Sequence, residues 1–97
     1  MARYDVYRVA GALVVDVQTD LLDGFPTRLV APLLPVDTAP VAHKRLNPTV
    51  QIDGAIYTMN PQYLAAVRVK DLGPQIGSLD HRHDDIRAAL DMIFLGF

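Results

Sequence analysis

A chain of 97 residues with a formal net charge of −2 and no cysteine fits one domain, 1–97, and excludes a disulfide framework and any thiolate metal site. All eleven acids are Asp, and the nine Lys and Arg are scattered among them, which argues against the basic face that direct nucleic-acid binding requires. No apolar run approaches the roughly 20 residues that span a bilayer, and no long apolar segment follows Met1-Ala2-Arg3-Tyr4-Asp5, so neither a membrane span nor a signal peptide is expected.

The first strand is predicted at Tyr4–Val9, and a second, rich in β-branched residues, at Ala12–Val17. The short Ala10-Gly11 connection between them suggests an antiparallel hairpin. Leu21 to Pro26 reads as a loop, with two adjacent leucines between Asp20 and Asp23 and with Gly24 and Pro26 as breakers. A strand resumes from Thr27 to Leu34. Pro32 interrupts it and, having no N–H to donate, belongs at an edge or a bulge.

Pro35 to Pro48 is the least regular stretch and is read as a loop with a polar centre at His43-Lys44-Arg45. Asp53-Gly54 then separates two alternating runs, Thr49–Ile52 and Ala55–Met59. That spacing predicts a hairpin closed by a type I′ turn, in which both central residues need φ > 0. Asn60–Leu64 is expected to form a helical turn, Ala65–Val69 a strand, and Leu72–Ser78 a linking loop.

The last segment reads as a helix N-capped by Asp80, with Asp84 and Asp85 near the positive end of its dipole. Ile86, Ala89, Leu90, Ile93 and Phe97 recur at helical spacing and mark the buried stripe, and Gly96 is the expected stop. At about 100° per residue, Leu95 falls opposite that stripe on the side of Asp91, with Phe94 on its flank. Leu95 is therefore expected to be exposed, and Phe94 partly so. Three apolar side chains at the end of a helix suggest a surface that binds another protein.

Catalytic signatures are sparse. Ser78 is the only serine and lacks the Gly-x-Ser-x-Gly elbow of a serine hydrolase. His81 and His83 are two apart and point to different faces of a helix, so no metal site is expected. No cofactor is expected either. His43, Lys44 and Arg45 carry the chemistry of a base beside a phosphate clamp, and equally that of a solvated loop. Hydrophobic residues make up 51% of the chain, and a domain this small buries only about two-thirds of its unfolded surface, which suggests that some apolar surface lies in a homodimer interface.

The sequence resembles the CcdB family, toxins of type II toxin–antitoxin systems. The resemblance is carried by Tyr4-Asp5-Val6-Tyr7, by Val15-Asp16-Val17-Gln18-Thr19-Asp20-Leu21-Leu22-Asp23 and by Arg28-Leu29-Val30-Ala31-Pro32-Leu33. It continues through Leu46-Asn47-Pro48, the Asp53-Gly54 hairpin, Leu79-Asp80-His81-Arg82 and the run from Asp85 to Phe97. It implies a mainly β chain with a C-terminal α-helix, an SH3-like antiparallel β-barrel of the CcdB/MazF type, working as a homodimer in the cytoplasm.

The resemblance also implies a mechanism. Such toxins bind the A subunit of DNA gyrase and trap it on cleaved DNA. They are not enzymes, and a cognate CcdA-like antitoxin neutralises them. In the family, gyrase contacts come from the helix end and from an apolar pair in the loop after the second strand. By matching motifs these fall on Asp91, Phe94, Leu95, Gly96 and Phe97, and on Leu21 and Leu22. The family's tryptophan before the terminal glycine is replaced here by Leu95. The competing readings are a MazF-type endoribonuclease on the same fold, with Arg28, His43, Lys44 and Arg45 as candidates, and a toxin-like protein that binds only its antitoxin.

Overall fold

The computed structural model describes residues 2–38 and 43–97. The centre of the expected 35–48 loop, residues 39–42, lies outside them. Among the described residues, seven strands form one antiparallel sheet: β1 (Asp5–Val9), β2 (Ala12–Asp16), β3 (Thr27–Pro35), β4 (Thr49–Ile52), β5 (Ala55–Met59), β6 (Ala65–Arg68) and β7 (Gln75–Ser78). One helix, α1 (His83–Leu95), follows. The strand order is β4-β5-β3-β2-β1-β7, with β6 also paired to β3.

Both predicted hairpins form. Val9 pairs with Ala12 and Ile52 with Ala55. The four turn residues Ala10, Gly11, Asp53 and Gly54 all have φ between 49° and 85°, as a type I′ turn demands. The expected helical turn after Asn60 is a 3-10 turn over Pro61–Tyr63.

Strand β3 changes partners along its length. Its first part, Thr27–Val30, pairs with β6, and its last part, Leu33–Pro35, pairs with β5. Pro32 sits between the two. On one side it is aligned with Val14 of β2. Its carbonyl accepts a hydrogen bond from the Asn60 N–H at 3.0 Å. Pro32 is therefore neither on an outer edge nor at a bulge. It occupies the gap where the ladder passes from one neighbour to the next, so the missing donor interrupts neither.

Two other expectations are corrected. Gln75–Ser78 is a strand paired with β1, not part of a linking loop. Its single large apolar side chain, Ile76, next to Gly77, carries too little alternation to announce it. Asp80 does not cap the helix. It opens a 3-10 turn over Asp80–Arg82, its own N–H donates to Ser78 Oγ at 3.2 Å, and α1 starts at His83 with no side-chain cap. Arg82 secures the helix start instead, with Nη1 donating to the Thr49 carbonyl at 2.8 Å and Nε to Asp85 at 2.9 Å.

The core lies between α1 and one face of the curled sheet. Val6, Leu13, Val15, Ala31, Leu33, Val50 and Met59 meet Leu79, Ile86, Ala89 and Leu90 there. Tyr7, Val14 and Val30 face the other way and are covered by Val67 and Leu72. The run from Leu13 to Val17 is apolar at nearly every position because both faces of β2 are buried. No helix of the described residues is long and apolar enough to cross a membrane.

Candidate functional site

Two exposed apolar features stand out, and both fall on residues marked in the sequence. The first is the tip of α1. Ile86, Ala89 and Leu90 anchor the helix in the core, but the predicted stripe stops being buried at its end. Ile93 is partly exposed, and Phe97, expected inside, is 72% exposed. The last turn runs past the surface that the sheet can cover. Leu95 is 61% exposed, as its position on the wheel predicts, Phe94 is as open, and Asp91 is exposed on the same helix.

Gly96 ends the helix with φ 82°, and its N–H donates to the Met92 carbonyl at 3.0 Å. This left-handed cap is the conformation that glycine reaches without penalty. It turns Phe97 away from the helix path, so Phe94, Leu95 and Phe97 are displayed from a defined end.

The second feature is the β2–β3 connection. A 3-10 turn over Asp20–Leu22 leaves Leu21 91% exposed and Leu22 partly so. Isolated exposed leucines are ordinary. Leu21 differs in that the turn beneath it is held closely. Thr19 Oγ1 accepts from the Leu21 N–H at 3.4 Å, and Gln18 Nε2 donates to the Thr27 carbonyl while its Oε1 accepts from the Leu29 N–H. Among the described residues, no hydrogen bond or ion pair joins this turn to the tip of α1.

Beneath the turn lies a polar cluster that the sequence reading missed. Arg28 and Asp16 are both almost completely buried. Arg28 Nε and Nη2 each lie 2.7 Å from Asp16 Oδ2, and the Gln18 N–H donates to Asp16 Oδ1 at 3.0 Å. Burial pushes the Asp16 carboxyl above its ordinary value, against the pull of Arg28 and the Gln18 N–H. For Arg28, burial opposes the charge, but the hydrogen bond to Asp16 and the charges of Asp16, Asp23 and Asp20 outweigh it and hold the guanidinium ionised. On the same face the Tyr7 hydroxyl donates to Asp5 at 3.4 Å. Burial first, then Asp5 and Asp16, push its pKa up to about 12. The available signal was an Asp set among Val14, Val15 and Val17 in a strand buried on both faces. A carboxylate there needs a cation.

The four residues weighed for ribonuclease chemistry are not gathered. Arg28 is sealed against Asp16. His43 Nδ1 accepts the backbone N–H groups of Arg45 and Leu46 at 3.2 and 3.4 Å, which commits that lone pair to the turn. Lys44 and Arg45 line a separate shallow groove with Pro48, Thr49, Arg82, Asp85 and Ala88. Among the described residues, no cluster of three or more His, Asp or Glu side chains could hold a metal ion.

A family model described as CcdB protein matches residues 3–96. Among solved structures, the chain is similar to an endoribonuclease in complex with its cognate antitoxin from a mycobacterial species. The TM-score is 0.76 at 14% identity, covering 95% of this chain and 90% of that one. The mostly β architecture, a curled antiparallel sheet with a C-terminal helix, is the CcdB/MazF-type toxin fold. The same similarity overturns the expectation that the chain is not an enzyme. A ribonuclease is built on this fold over almost the whole length, so a sequence without an obvious catalytic signature does not separate a toxin that binds from one that cuts. Matched by its family model from residue 3 to residue 96, this chain belongs to the CcdB family of toxins.

Proposed function

We propose that this toxin, a single domain over 1–97 acting as a homodimer, binds the A subunit of DNA gyrase and traps it on cleaved DNA. The contact surface is Asp91, Phe94, Leu95, Gly96 and Phe97 at the tip of α1, together with Leu21 and Leu22. The observation that carries this reading is the helix tip: apolar, exposed and fixed in direction by a left-handed glycine. Apolar anchors held on a rigid element are what a protein interface uses for most of its affinity. A cognate antitoxin neutralises the toxin, a reading supported by the similar endoribonuclease, which was solved with its own antitoxin.

A second reading is favoured by that same structure, namely RNA cleavage. The groove bearing Lys44, Arg45 and Arg82 is then where a phosphate backbone would lie.

One experiment separates the two. Purified protein is mixed with the host's gyrase, ATP and supercoiled plasmid, and in parallel with RNA. Linear DNA released by detergent and protease, with RNA intact, supports gyrase poisoning. RNA cuts that disappear in Lys44→Ala/Arg45→Ala, with plasmid untouched, support the second reading and sink the first. Deleting Gly96-Phe97 should abolish trapping while the complex with antitoxin survives, and trapping that persists would refute the assignment of the helix tip.

A further inference from the structure

We propose that Arg28 is the positioning residue of the Leu21-Leu22 surface, setting the shape in which that turn meets its partner. This rests on the reading above, in which Leu21 and Leu22 touch the partner.

The argument starts from what holds the turn. Neither the turn's three residues nor Asp23 contributes a buried side chain, and Leu21 packs on nothing in the core. The shape of the segment comes from polar contacts: beside the Thr19 and Gln18 hydrogen bonds and the turn's own backbone bonds, a further set converges on one guanidinium. Arg28 Nε and Nη2 hold Asp16, at the end of β2, at 2.7 Å. Nη2 also donates to the Gln18 carbonyl at 3.4 Å and lies 3.7 Å from Asp20 Oδ1, while Nη1 lies 3.5 Å from Asp23 Oδ1. One buried side chain therefore reaches residues 16, 18, 20 and 23, on both sides of Leu21 and Leu22.

The strengths of these contacts differ in a way that separates folding from positioning. The Asp16 contact is buried and carries the energetic weight of the cluster. The Asp20 and Asp23 carboxylates are largely in water, where single ion pairs contribute little to stability. At 3.7 and 3.5 Å they are ion pairs without a hydrogen bond, and their effect is to draw the two flanks of the turn toward the guanidinium. Asp20 is fixed from a second direction, since its Oδ1 accepts the Arg3 N–H at 2.8 Å. A planar cation with donors in several directions suits this task, and an ammonium does not. A turn held in its binding shape avoids the ordering cost of association.

The test pairs Asp16→Asn with Arg28→Met, which removes both buried charges together and so leaves neither unpaired. A cooperative thermal transition verifies folding. Binding to the purified gyrase A subunit of the host is then compared across wild type, Leu21→Ala, the paired variant and the triple variant. Leu21→Ala is expected to weaken binding about tenfold. The paired variant should lose a similar factor, and Leu21→Ala added to it should cost no more than about twofold further. Arg28→Lys should keep the fold but not the affinity.

Wild-type binding by the paired variant, or losses that multiply, would overturn the proposal. Backbone amide exchange provides a readout that needs no partner: exchange at Leu21–Asp23 should rise about tenfold in the paired variant while Val15 and Ile86 keep their protection. If Leu21→Ala leaves binding unchanged, the partner-surface reading fails, and the exchange measurement still decides whether Arg28 positions the turn. Unchanged exchange there refutes it.

Discussion

At the scale of single residues, the buried polar side chains of the second sheet face are where burial and charge meet most closely. Tyr7 shows this through pH. Its hydroxyl is buried beside Asp5 and titrates near 12 instead of its ordinary value of 10. The unfolded chain releases that proton first. The stability that neutral Tyr7 contributes is therefore complete below pH 10 and is lost as pH rises from 10 through 12. The expected loss is about 2–3 kcal/mol. Urea midpoints measured from pH 9 to 12 should fall steeply in the wild type and less in Tyr7→Phe. Equal slopes in the two proteins would show that Tyr7 is not the group responsible.

The same scale shows why the polar cluster was not legible from the sequence. Alternation reveals which side chains share a face, but it does not say which cation twelve residues away closes on a buried Asp16. That information lies in the register of β2 against β3, where Asp16 is aligned with Val30. By contrast, Leu95 could be placed outward from helical geometry alone, because its exposure depends on its own helix and little else.

At the scale of elements, α1 divides into an anchored half and a free half. Ile86 and Ala89 are fully buried, whereas Phe94 and Leu95 stand in solvent. Ile86→Ala should cost about 2–5 kcal/mol of stability, while Phe94→Ala should stay within about 0.5 kcal/mol. Urea unfolding of the two variants measures this, and a large loss for Phe94→Ala would mean that the tip is packed in solution. The helix was legible because its period is strong over thirteen residues. Its last turn was misjudged, since the wheel places Phe97 on the buried stripe but cannot tell where the sheet beneath runs out. Strand β7 was missed for the opposite reason: four residues with two half-buried positions hold too little pattern, and only pairing with β1 makes them a strand.

At the scale of the whole molecule, large apolar side chains remain on the outside. Phe25, Ile56 and Tyr63 are exposed in addition to Leu21 and the helix tip. A chain with this much uncovered apolar surface is expected to pair with a second copy. Its thermal midpoint should then rise with protein concentration. A midpoint that stays constant over a hundredfold dilution, roughly the span needed to see mass action, would indicate that the exposed apolar area serves other partners only.

Pro32 has a consequence for how the molecule breathes. Because it leaves a gap in the donors along β3 between the parts paired to β6 and to β5, the two ladders are not one continuous zipper. Strand β6 is short and largely exposed, and it can detach without loosening β5. Native-state hydrogen exchange should therefore resolve β6 as a separate, low-protection unit, with β2 and β5 opening only when the whole domain does. The ladder along Thr27–Val30 would be the first part of the sheet to open.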